Sequence, residues 1–175
     1  MNKRFVILIL LFTIGFYLQI PAQGSGSEAN IKAVLIYNFA KFFHWPTGAH
    51  DDDFKIGIAG NHSIAEALRI ISQKKLIKNA QTIVEEINST DSVSKYNMVF
   101  LSIDSSISFT ELLKKIENKA ILVISEKEGL CQQGSSINLI KRDDKVKFEI
   151  NLSALRKSGI ESNTQFVKLA EKLYN

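Results

Sequence analysis

Three histidines, His44, His50 and His62, and the acidic run Asp51-Asp52-Asp53 are the residues best suited by type to hold a metal ion. Their spacing argues against it. No two of the histidines stand at the i,i+4 separation that puts two imidazoles on one helical face, and three contiguous carboxylates repel one another and favour solvent. Cys131 is the one cysteine, and with a histidine it would make a nucleophile. Its neighbours, Gly129-Leu130-Cys131-Gln132-Gln133-Gly134, supply no base and no cation to lower a thiol pKa. It reads either as a buried, inert side chain or as a thiol available to another chain. Glu85-Glu86 fall at a strand end, and Glu126 and Glu128 flank Lys127 in a loop, so neither pair is arranged for acid–base work. The chemistry on offer is that of a binding protein without metal or cofactor, not of an enzyme.

Two glycine-bearing turns remain as candidate ligand sites. Gly57-Ile58-Ala59-Gly60-Asn61-His62-Ser63 joins a strand to a helix, and Gly60, Asn61 and Ser63 would place backbone amides at the helix start, where anions bind. It has neither the third glycine of a dinucleotide fingerprint nor the lysine of a phosphate-binding loop. The second turn, Ser125 to Ser135, follows an apolar strand and includes Glu126 and Gly129. Ligands on open parallel sheets bind beyond the carboxyl ends of strands, which makes this loop the better location for a small-ligand pocket.

The elements that would hold these turns can be read along the chain. Met1-Asn2-Lys3-Arg4 is a basic head, Phe5 to Ile20 carries no charge, and Pro21-Ala22 supplies a break and a small residue. These are the three parts of a secretory signal peptide, with cleavage expected near Ala22. Its apolar stretch falls short of the roughly 20 residues that span a bilayer. Residues 23–27 read as a disordered Gly/Ser-rich mature N-terminus and residues 28–175 as one domain. Losing Lys3 and Arg4 lowers the formal charge from +4 to +2, and no basic patch with interleaved aromatics appears, which argues against a nucleic-acid partner.

A first helix is expected from about Glu28 to Phe43, with only Lys32, Asn38 and Lys41 strongly polar in its interior. A helix apolar on almost every side is either deeply buried or partly a contact surface. Tyr37, Phe39, Phe42, Phe43 and Trp45 are therefore a candidate partner or dimer surface. Strands are expected at Phe54–Ala59, Thr82–Ile87, Met98–Ile103 and Ala120–Ser125. Helices alternate with them at Ser63–Ser72, opened by a Ser63/Glu66 capping box, and at Ser108 to about Glu117, opened by Ser108/Glu111. Ser136–Ile140 and Val146–Ile150 flank a polar turn and read as a hairpin with one wet face. A short helix capped by Asn151 or Ser153 should stop at Gly159, and a last helix should run from about Asn163 to Leu173. The fold class is α/β: a three-layer α/β/α sandwich with a largely parallel central sheet, a C-terminal β-hairpin and short helices.

Taken in order, these segments resemble the YfiR/HmsC-type periplasmic regulators. The matching stretches are Ile31 to Pro46, with its Tyr37-Asn38-Phe39 core and Trp45-Pro46 end; Lys55 to Gly60; Ala120 to Ser125 followed by Gly129-Leu130 and Gly134; and Val146 to Leu152. The resemblance implies a small, periplasmic, non-catalytic protein, often a dimer. It implies a partner that is a membrane-bound sensor: the periplasmic sensor region of an inner-membrane diguanylate cyclase held inactive, or a histidine kinase. Release of the cyclase would raise cyclic-di-GMP and favour biofilm. Cysteine pairs linked to redox sensitivity also occur in the family. Here Cys131 has no second cysteine, and the position seven residues on is Asn138, so an internal disulfide switch is absent and redox control would have to act between chains.

Overall fold

The computed structural model describes residues 25–48 and 53–175. The signal-peptide segment, Gln23-Gly24, His50 and Asp51-Asp52 lie outside the described residues.

The first helix, α1 (Ser25–Phe42), begins three residues before its expected start and so takes Ser25, Gly26 and Ser27 into its first turn. Ala29, Ala33, Ile36, Tyr37, Phe39 and Ala40 recur at helical spacing and are buried, and Phe43 continues that face into β1 (Phe43–His44). The chain then forms β2 (Phe54–Ala59), α2 (His62–Lys74), β3 (Thr82–Ile87), a single 3₁₀ turn, β4 (Met98–Leu101), α3 (Phe109–Lys115) and β5 (Leu122–Ser125). β6 (Ile137–Arg142) and β7 (Lys145–Asn151) follow, then α4 (Leu152–Ser158), β8 (Glu161–Ser162), α5 (Thr164–Val167) and β9 (Lys172–Tyr174).

The main sheet has the order β3-β2-β4-β5-β6-β7-β9. The five strands from β3 to β6 are parallel, β7 returns antiparallel to β6, and β9 runs parallel to β7. β1 and β8 form a separate antiparallel pair. The two faces of the sheet carry different clusters. Ile56, Ile58, Met98, Phe100, Leu122, Ile124, Phe148 and Ile150 face α1 and α2. Val99, Leu101, Ile121 and Val123 face Leu112 of α3 and Ile116 just after it. That is the expected three-layer α/β architecture, with alternate residues of each central strand buried on opposite sides.

Three expectations change. The hairpin is not wet along one face: Asn138, Glu149 and Asn151 are buried, and only its outer end is exposed. Asp143 and Asp144 both take positive φ, 49° and 57°, the pair of left-handed residues that matches the twist of a two-residue hairpin turn. The last helix also stops early. Asn163, at its expected start, caps it by accepting from the Gln165 amide at 2.8 Å, but Glu171 N–H then donates to the Phe148 carbonyl at 2.8 Å and draws residues 172–174 alongside β7 as a strand. Finally, the cap of α2 is Asn61, whose Oδ1 accepts from the Ile64 amide at 3.0 Å; Ser63 lies within the first turn, and Glu66 pairs with Arg69.

Candidate functional site

β2 and β4 are neighbours, and the connections leaving them run to opposite sides, so their carboxyl ends form the switch point where open α/β sheets usually bind ligands. Backbone occupies that position here. Gly60 has φ +86°, and a Cβ built on it would stand 2.6 Å from both the N and Cα of Ser105. Ser102 N–H donates to the Ala59 carbonyl at 3.0 Å, pinning the segment after β4 onto the turn after β2. This contact by itself requires a glycine at position 60.

The second turn is locked from within. Ser125, Ser135 and Asn138 are fully buried. The Asn138 amide nitrogen donates to the Ser125 carbonyl at 2.9 Å and the Lys127 carbonyl at 3.2 Å. Ser125 Oγ donates to Ser135 Oγ at 2.9 Å, and Ser135 Oγ donates to the Ile137 carbonyl at 2.7 Å. Asn151 Nδ2 donates to the Cys131 carbonyl at 2.7 Å. These bonds satisfy the polar groups of a loop that covers the sheet where no helix does.

Glu126 turns away from this lock and meets α1. Its side chain is 6% exposed, and Lys32 Nζ lies 2.6 Å from its Oε1 and 2.7 Å from Glu28 Oε1. The Ile103 amide donates to Glu126 Oε2 at 3.3 Å. Burial pushes the Lys32 ammonium pKa down, but the bonds from Glu126 and Glu28 outweigh it and hold the lysine above its ordinary value. The bond and charge of Lys32 hold Glu28 below the usual carboxylate range. A lysine held charged between two carboxylates is a clamp between α1 and the loop after β5.

The two sequence-selected turns converge on that clamp. Glu28, Lys32 and Lys141 are shared by two open lobes of one cleft. One, of about 840 Å³, reaches Asn61 and Ser63; the other, of about 610 Å³, reaches Glu126, Gly129, Glu149 and Tyr174. Gly60 and Ser125 line neither lobe. Lys32 was visible in the sequence only as one of three polar residues on an apolar helix; its role comes from a carboxylate remote in the chain.

Cys131 is not at the surface. It is fully buried, and burial, with the Glu149 carboxylate adding to it, pushes its thiol pKa to about 12. The candidate intermolecular thiol is therefore corrected to an inert interior side chain.

The aromatic end of α1 is likewise interior. Tyr37, Phe39 and Phe43 are buried: α5 brings Phe166 over the two phenylalanines, edge-on to Phe39 and Phe43 at 5.5 and 5.7 Å and stacked on Phe148 at 5.2 Å, while the Tyr37 hydroxyl donates to the Leu76 carbonyl at 3.3 Å. Phe42, half-exposed, stacks on Phe166 at 4.9 Å. Trp45 is half-buried, edge-on to Phe54 at 5.1 Å, with its Nε1–H donating to the Asn97 carbonyl at 3.2 Å. The exposed apolar residues include, besides Phe42, Ile31 and Val34 of α1, Ile70 of α2 and Leu76. Their signal was the unbroken apolar character of α1, which did not distinguish the outward residues from the inward ones. His44 and His62 are both exposed, and His62 Nδ1 sits 3.0 Å from Glu86. Among the described residues no three ligand-type side chains gather to hold a metal.

Among solved structures, the fold is similar to an ABC domain from Streptococcus pneumonia determined in complex with L-Trp, at a TM-score of 0.56 and 13% identity over 83% of this chain; this chain spans 60% of that one. A conserved domain protein from Vibrio cholerae O1 biovar eltor gives a TM-score of 0.45 and 14% identity, covering 68% of this chain and 54% of that chain. The first likeness concerns the α/β fold alone. Among the described residues no helix is long and apolar enough to cross a membrane. A family model matches residues 29–171, from the first buried alanine of α1 to the residue before β9, and by that match the chain belongs to the YfiR/HmsC-like family of periplasmic regulators.

Proposed function

We propose that this protein is a non-enzymatic periplasmic regulator that binds the periplasmic sensor region of an inner-membrane diguanylate cyclase and represses it. The observation that carries this reading is the family match over residues 29–171. The surface residues Ile31, Val34 and Ile70 supply exposed apolar area of the kind partners use. Repression acts by population shift: a regulator that binds the inactive conformation of the sensor more tightly favours that state by the difference in affinity. Export through a signal peptide cleaved near Ala22, and a homodimer, belong to the same reading. Deleting the gene should raise cellular cyclic-di-GMP, and restoring it should reverse the rise. An unchanged level, together with altered output of a sensor histidine kinase, would move the partner to that class.

The convergence of two turns on the Lys32 cleft favours a second, compatible reading, in which a small ligand bound there controls release of the partner. Thermal-shift screening with nucleotides, amino acids and sugars tests it; no stabilisation by any of them counts against a ligand in the cleft.

A further inference from the structure

The crossover from β5 to β6 contains no helix. β2 reaches β3 through α2 and β4 reaches β5 through α3, but residues 126–136 form only a loop. The sheet face that carries α3 is therefore open beyond that helix, and a groove of about 750 Å³ lies between α3 and α4. Phe109, Leu113, Ile116 and Ile121 give it an apolar lining. Small-molecule pockets are commonly about 300–1,000 Å³, and this groove falls within that range with a mixed polar and apolar lining.

Lys114, Lys119 and Lys157 stand around this groove; among its lining side chains Glu117 is the one carboxylate, and Asn175, the last residue, also lines it. Lys32, Lys95, Lys141 and Lys147 each lie within reach of a carboxylate. Among the described residues, the three groove lysines make neither an ion pair nor a side-chain hydrogen bond. Lys114 and Lys157 occupy the last turns of α3 and α4, where helix carbonyls favour a cation. That placement does not account for Lys119, which follows its helix, or for the convergence of all three on one hollow. The Gln132 and Gln133 side chains add neutral donors at the loop side.

We infer that this groove binds a small anionic amphiphile, with an apolar body against Phe109, Leu113 and Ile116 and a carboxylate or phosphate headgroup among Lys114, Lys119 and Lys157. The inference is independent of the regulator reading and concerns a different part of the molecule from the Lys32 cleft.

Two-dimensional amide NMR of the exported chain, titrated with decanoate or decyl phosphate below their micelle concentrations, tests it. Saturable shifts at Leu113, Gln133, Gly134 and Lys157 are expected for both, and the tighter of the two identifies the headgroup. Decyltrimethylammonium should bind about tenfold more weakly, and acetate should not shift these amides. K114Q combined with K157Q should weaken decanoate binding about fivefold while the amide spectrum stays dispersed and folded. Equal affinity for the cationic analogue, shifts confined to other regions, or an unchanged affinity in the double variant would overturn the proposal. So would binding of an acidic apolar peptide at the groove with no binding of either amphiphile.

Discussion

Lys32 Nζ lies 2.6 Å from Glu126 Oε1, which ties the second turn of α1 to the loop that leaves β5. The pair is largely dry: the lysine side chain is 18% exposed and the carboxylate 6%. Two charges so placed add little net stability, but removing one leaves the other uncompensated.

K32M should therefore lower unfolding stability by about 3 kcal/mol, and K32M combined with E126L should recover most of that loss. Urea denaturation of the two variants checks it. A K32M effect below about 0.5 kcal/mol would mean that the pair behaves as an exposed one.

The same cluster sets a pH window. Glu28 has a lowered folded pKa, so its contribution is present above the ordinary carboxylate value of 4.5 and is lost as pH falls through the folded value. Lys32 has a raised folded pKa, so its contribution is complete below 10.5 and is lost as pH rises through the folded value. The stability difference between wild type and K32M should be flat through neutral pH and shrink at both extremes. A difference that changes steadily between these limits would contradict the assignment.

Gly60→Ala should destabilise by about 2 kcal/mol or more, since the new methyl meets the Ser105 backbone at 2.6 Å and the residue keeps φ +86°. Gly26→Ala provides the contrast: no atom lies within 4 Å of its Cβ position, and a helical alanine is favoured over glycine. Thermal melts of the two variants should move in opposite directions.

Asn138→Ala leaves the Ser125 and Lys127 carbonyls without their donor and should cost about 2 kcal/mol. Amide hydrogen exchange should then accelerate selectively over residues 126–136. Uniform acceleration across the sheet would mean that the network supports the whole domain and not the loop.

Cys131 should resist iodoacetamide in the native state and react fully in urea. A thiol with a pKa of about 12 is ionised in only about one molecule in ten thousand at pH 8. Oxidant should leave the protein monomeric on non-reducing gels. Rapid native labelling would show that the 126–136 loop opens.

The parts of the fold legible in the sequence were those decided locally. Phe54–Ala59 and Thr82–Ile87 appear with the expected bounds, and Gly159, at φ 66°, ends α4 as a left-handed cap should. What was not legible depended on remote segments. Burial of Phe39 and Phe43 needs Phe166, and the short α5 needs the pairing of residues 172–174 with β7. The expected cap was Ser63, but Asn61 accepts the Ile64 amide and caps the helix two residues earlier. For the site, Glu126 and Gly129 do line a cleft, but the residue that organises it, Lys32, sits on a helix whose composition pointed to aromatic contacts.

The sealed position of Cys131 also makes the chain a ready background for spectroscopy. Since it is the sole cysteine, a second one introduced at an exposed site such as Val34 or Leu76 would be the only thiol a maleimide reaches. A fluorophore or spin label placed there would report on the outer side of α1 or the end of α2 without a cysteine-free parent having to be built first.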